Sequence, residues 1–149
     1  MNAGANSPGS QHRRGKNTAA MNAVRVEVSP GEMIDKITIL EIKAARIGDP
    51  AKLENVRHEL GILDGVRDAE IPASPELDRL TADLRTVNTR LWDIEDEIRD
   101  CERNKNFGDR FIELARAVYR TNDRRAEIKK TINEMLGARI VEEKSYNSY

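Results

Sequence analysis

The feature that most constrains this chain is a heptad. Leu77, Leu80, Leu84, Val87, Leu91, Ile94, Ile98 and Cys101 recur at alternating spacings of three and four residues. That alternation places them all on one stripe of a single helix. No Gly or Pro interrupts the stretch from Glu76 to Asn104. A helix of about 30 residues is about 45 Å long, well beyond an average globular helix. Such a stripe persists only when other helices cover it, so the chain is expected to be mainly α. Composition agrees. Aromatic residues are 4% and charged residues 34% of the chain, the balance of a helical assembly with solvated faces rather than of a β-sandwich.

The remaining elements follow from punctuation. Ser29-Pro30, Asp49-Pro50 and Ser74-Pro75 each set an N-cap residue before a proline suited to the first helical position. Glu32 completes a capping box with Ser29. The pattern predicts a first helix to about Ile47, with Met33, Ile37, Leu40, Ala44 and Ile47 on one face and Gly48 as its stop. A second helix carries Leu53, Val56, Leu60 and Leu63 as its stripe, and Arg67 to Ala73 reads as a loop containing Pro72. The heptad helix is third. Residues 104–109 read as a turn, and a fourth helix runs from about Arg110 to Leu136, ended by Gly137. Val24, Val26 and Val28 alternate with Arg25 and Glu27, the period of a half-buried strand. Ile140 and Val141 are its expected partner, which would bring the chain ends together. The expected architecture is mainly α: a four-helix antiparallel bundle built on a long helical hairpin, with a short strand element near the termini.

At 149 residues the chain suits a single core. Residues 1–22 hold Arg13, Arg14 and Lys16, no acid, and mostly Gly, Asn, Ser and Ala. They are expected to form a disordered tail, with residues 23–149 as one helical domain. Met21-Asn22-Ala23 repeats the opening Met1-Asn2-Ala3, so either methionine reads as a translation start. With three of the basic residues in the tail and a net charge of −1 overall, the folded part is acidic. It has no electrostatic footprint for nucleic acid. No stretch approaches the roughly 18 apolar residues that span a bilayer, and no apolar leader is evident. The single cysteine, Cys101, lies on the apolar stripe and reads as a buried thiol. A cytoplasmic protein is expected, with neither a nucleic acid nor a membrane as partner.

Chemistry is harder to read. If the third and fourth helices fold back near Asn106, Leu84 faces Ile128, Leu91 faces Thr121, and Asn88 falls near Arg124. The apolar pattern of the fourth helix breaks at Arg120-Thr121-Asn122-Asp123-Arg124-Arg125. A polar layer therefore crosses the middle of the hairpin, made of Asn88, Trp92, Glu95, Asn122, Asp123 and Arg124. Off the helices, Glu142-Glu143-Lys144-Ser145-Tyr146 is the most suggestive polar cluster, with Lys144 and Tyr146 as candidate ligand contacts or as pins that hold the tail. Two readings of the layer stand open. Buried polar pairs fix register and oligomeric state. A pocket between helices, with Trp92 as a wall and Arg124 or Arg125 as a clamp, would hold an anion. No phosphate loop, nucleophile elbow, zinc-protease or paired-cysteine motif is present. His58 lacks a second His or Cys for a metal, and acid-rich helices ordinarily face water, so neither metal nor cofactor is expected.

Val28-Ser29-Pro30-Gly31-Glu32, the run from Ile34 to Lys43, Leu91-Trp92 with Ile94-Glu95-Asp96, and the segment from Ile140 to Tyr146 resemble a small uncharacterised bacterial family, a domain of unknown function. The resemblance covers about residues 24–149. It implies a compact helical protein and carries over no catalytic residue. All-helical chorismate mutases also open on an Ile-Asp-rich helix ending in Arg, as from Ile34-Asp35 to Arg46, but the spacing is off by one and no matching Arg/Lys set can be placed. All-α nucleotide pyrophosphohydrolases pair two acidic helical motifs; Glu32 and Asp35 resemble one, without a partner. Long hairpins with few aromatics have thin cores, so self-association as a homodimer is expected. The leading expectation is a non-catalytic oligomeric interaction or scaffold protein, with a further protein partner not identified. The alternative is a small-ligand binder or enzyme acting on an anionic metabolite or nucleotide through the polar pocket.

Overall fold

The structure is a computed structural model that describes residues 23–149. Four helices follow in chain order: α1 (Pro30–Arg46), α2 (Pro50–Glu70), α3 (Pro75–Arg103) and α4 (Asp109–Met135). The first three begin at the caps their sequence marks, but the expected capping box is only half formed, because the Glu32 carboxylate binds Lys129 instead of turning back to the Ser29 amide. Ser29 Oγ accepts from the Glu32 amide at 3.2 Å, and Ser74 Oγ from the Leu77 amide at 3.1 Å. Asp49 accepts from the amides of Ala51 and Lys52 at 2.9 and 3.3 Å. The last two helices end alike. The chain passes through a left-handed residue, Lys105 at φ 55° and Gly137 at φ 64°. The following amide then returns to the helix, Asn106 to the Cys101 carbonyl and Ala138 to the Asn133 carbonyl, both at 2.9 Å.

α3 and α4 form an antiparallel hairpin: Arg110 meets Glu97 near the turn, and Ile128 meets Leu84 far from it. Two apolar clusters hold it. One gathers Leu77, Leu80, Leu84, Ile128 and Ile132 around Ile34 of α1. The other gathers Ile94, Cys101 and Leu114 toward the turn. α1 lies along both hairpin helices, and α2 packs on α1 alone, burying only Val56. Being covered from two sides, α1 is buried at Asp35, Thr38 and Ile42 as well as at Ile34, Ile37 and Leu40. Of the single face expected for it, Met33, Ala44 and Ile47 are only half-buried.

Two expectations are revised and two fall outside the described residues. The described residues contain helices and no strand: Val24, Val26 and Val28 are 72%, 73% and 44% exposed, and Ile140 and Val141 are irregular. The helices fill the core without them, so no buried face recruits the alternating valines, and only the ion pair of Arg139 with Glu27 at 3.6 Å joins the two segments. α2 continues to Glu70, which shrinks the expected loop at Arg67–Ala73 to Ile71–Ser74. Nothing before Pro72 breaks the helix, and Arg67 adds an ion pair with Asp64 in its last turns. The expected tail, residues 1–22, and the choice between Met1 and Met21 lie outside the described residues. Among the described residues no helix is long and apolar enough to cross a membrane.

Candidate functional site

The polar centre of the molecule is built by one close approach. A Cβ on Gly31 would lie 2.5 Å from the Lys129 carbonyl oxygen, so only glycine lets the start of α1 reach the backbone of α4. The Gly31 amide donates to Asn133 Oδ1 at 2.7 Å and fixes that contact. One turn further on, Asp35 is 1% exposed and faces both hairpin helices. Arg125 grips its carboxylate with two bonds, from Nε to Oδ1 at 2.8 Å and from a terminal nitrogen to Oδ2 at 2.5 Å. Asn88 Nδ2 donates to the same Oδ1 and to Thr38 Oγ1, each at 2.9 Å. Thr38 Oγ1 in turn donates to the Asp35 carbonyl at 2.8 Å. Both oxygens of the buried Asp35 carboxylate and the Thr38 hydroxyl are matched from within the chain, as burial requires.

The outer half of the layer is ionic. The Lys129 ammonium sits between Glu32 at 2.6 Å and Glu142 at 2.8 Å, with its side chain 11% exposed. Burial pulls its pKa down, but bonds to the carboxylates of Glu142 and Glu32 outweigh this, and it rests above the ordinary lysine value. The Asp35 carboxylate, against the opposing effect of burial, holds Arg125 above the ordinary arginine value. Beyond Gly137 the chain returns along α4. Lys144 pairs with Asp123 at 2.7 Å, with its ammonium 5.3 Å from the Tyr146 ring. The Tyr149 ring lies 5.0 Å from that of Tyr119. The bond from Lys144 holds Asp123 below the usual carboxylate range, and the Asp123 carboxylate pushes the Tyr149 phenol up. The returning segment and α4 enclose a groove of about 660 Å³, lined among others by Glu32, Asn122, Arg125, Lys129 and Glu142.

Of the residues read from sequence, Asn122, Asp123, Lys144 and Tyr146 share this groove. Asn88 lies in the buried layer behind it, bonded to Asp35 and Thr38 rather than set against Arg124. Arg124 points to solvent and pairs with Glu127 at 3.2 Å, while Arg125, one residue and about 100° further round the helix, enters the layer. Glu95 is exposed and pairs with Arg99 at 3.4 Å. Trp92 is half-buried on α3 and does not line the groove. Sequence reasoning passed over Asp35, Thr38, Lys129, Glu32 and Glu142 as members of this layer. Asp35 and Thr38 carry a weak signal, a polar pair at i and i+3 inside the run Ile34 to Ile42. Among the described residues, no three His, Cys, Asp or Glu side chains converge to hold a metal ion.

The family model of DUF6165 matches residues 24–149. The chain belongs to this family of unknown function. Neither a curated protein nor a solved structure matches it. The region shared with DUF6165 takes in all four helices, the buried layer and the segment that returns along α4.

Proposed function

We propose that this member of DUF6165 is a non-catalytic cytoplasmic interaction protein that works as a homodimer, its long hairpin serving as a scaffold for a further protein partner. One observation carries the reading: the charged groups at the molecule's centre satisfy one another. Both oxygens of Asp35 are taken by Arg125 and Asn88, and Lys129 holds two carboxylates. An anion clamp or an acid–base residue needs a partner left open for the ligand. A saturated layer instead sets how helices align.

A thermal-shift screen of the full chain tests this against nucleotides, nucleotide sugars, phosphorylated sugars, aromatic acids and divalent metals, alongside sedimentation equilibrium. A ligand present at about 100 times its Kd adds about 2.7 kcal/mol, several degrees for a domain near this size. The reading expects no shift across the panel and a dimer in the centrifuge. A reproducible, concentration-dependent shift from any member of the panel would overturn it in favour of a ligand-binding pocket. A strict monomer would remove the homodimer.

A further inference from the structure

We propose that Val24–Val28 is the dimer contact: it pairs with the same segment of a second copy as a two-stranded antiparallel ribbon centred on Val26. This deepens the homodimer reading and rests on it. The segment precedes the buried cap Ser29, so the bundle anchors one end of it. Its three valines are 72%, 73% and 44% exposed, and β-branched residues at every second position fit a pleated, half-covered surface. Among the described residues, no backbone hydrogen bond engages positions 24–28. A free segment of this kind is a template for pairing with another chain.

What selects a second copy is the arrangement of charge. In an antiparallel pair, residues directly opposite share a face. Centred on Val26, Val24 lies opposite Val28 of the second copy, and Arg25 lies opposite Glu27. One face of the ribbon then carries valines alone, and the other carries two Arg–Glu pairs. A slip of two residues sets Arg25 against Arg25, or Glu27 against Glu27. A slip of one sets valine against a charge. The five residues are self-complementary in a single register, and a two-fold axis through Val26 is the symmetry of the commonest oligomer. A short ribbon needs an apolar surface beneath it. Ile140 and Val141, 41% and 55% exposed, lie next to Arg139, whose ion pair with Glu27 brings the two segments near each other, and in the proposed dimer they are that surface, one from each copy.

Cysteine cross-linking and charge exchange in the full chain test the ribbon. In a Cys101→Ala background, Val26→Cys meets its own counterpart and should cross-link under mild oxidation. Arg25→Cys faces position 27 and should not. Arg25→Glu and Glu27→Arg should each raise the dimer Kd by about tenfold, and the double exchange should restore it. An unchanged melting temperature shows that the bundle tolerates each change. A dimer that neither cross-links at Val26 nor responds to the charge changes would overturn the ribbon and leave the homodimer standing. A chain that is monomeric throughout would overturn both.

Discussion

Asp35 and Arg125 form one ion pair, but losing either partner should not cost the same. Arg125→Met removes the guanidinium and keeps most of the stem. It leaves the Asp35 carboxylate, 1% exposed, with the Asn88 amide as its remaining side-chain donor. Removing one partner of a buried pair costs about 3–5 kcal/mol, because the remaining charge has no water to turn to. Asp35→Asn preserves shape and an acceptor. The arginine it strands has a side chain 29% exposed and lies within the field of Glu32 and Glu142. After allowance for solvent screening, about 1–2 kcal/mol is expected. The double variant leaves neither charge of this pair stranded and should cost less than the two single changes together, with a coupling of about 2 kcal/mol.

Urea unfolding followed by the fluorescence of Trp92, the one tryptophan and half-buried on α3, reads these differences alongside circular dichroism. Domains of this kind hold about 5–15 kcal/mol in all, so the arginine variant loses a large share of its stability. If it fails to fold, Arg125→Lys keeps the charge but not the two-pronged grip and should cost about 1–2 kcal/mol. Equal costs for Arg125→Met and Asp35→Asn, or strict additivity in the double variant, would refute the claim that this carboxylate depends on its arginine for want of water.

Other perturbations probe the same frame. Gly31→Ala drives a methyl group into the Lys129 carbonyl and should cost about 2 kcal/mol in urea unfolding, whereas Gly61→Ala and Gly65→Ala meet nothing within 4 Å in α2 and should each gain about 0.5–1 kcal/mol. Lys105→Gly relieves a left-handed lysine at the end of α3 and should raise stability by about 0.5–1 kcal/mol, seen as a higher melting temperature. Lys129 titrates above its ordinary value of 10.5 in the folded chain. Its contribution is therefore intact below that value and is lost as pH rises through the raised one. Unfolding free energy measured against pH should fall on the alkaline side, and Lys129→Arg should move that fall to higher pH.

The helices were legible because their signals are local. A serine or aspartate before a proline marks a helix start from the chemistry of the cap alone, and three such pairs gave three starts. The heptad gave the length of α3 and, folded about the turn, the meeting of Leu84 with Ile128. The layer was half legible for the opposite reason. A break in apolar period located the polar stretch of α4, but choosing between Arg124 and Arg125 needs the rotation of that helix to better than one residue. Asp35 was legible with Glu32 as an acidic pair but not as part of the layer, because a carboxylate on a helix reads as solvated until two other elements cover it. Covering α1 from both sides is a tertiary event, set by Gly31 against Lys129 and by α2 folding back, and no periodicity within α1 announces it. The alternation at Val24–Val28 was real in the sequence, yet the described chain offers it no partner strand.

The layer and that alternation are connected through α1. The apolar contacts of α1, through Ile34, Ile37 and Leu40, would tolerate a slide along the hairpin, since one branched aliphatic replaces another with little loss. A slide of one turn, about 5.4 Å, would carry Asp35 away from Arg125 and Asn88 into the apolar cluster of Leu84, Ile128 and Ile132. It would also move Gly31 off Lys129 and Asn133, the stretch of α4 that its missing side chain lets approach. The polar layer therefore holds α1 at one height on the hairpin. Ser29 caps α1, so that height also sets where Val24–Val28 leaves the bundle. Asn133, which accepts from Gly31, receives the Ala138 amide on its own carbonyl, and so anchors the start of the returning segment that bears Ile140 and Val141. One alignment thus places the two exposed apolar segments beside each other at the same end of the molecule.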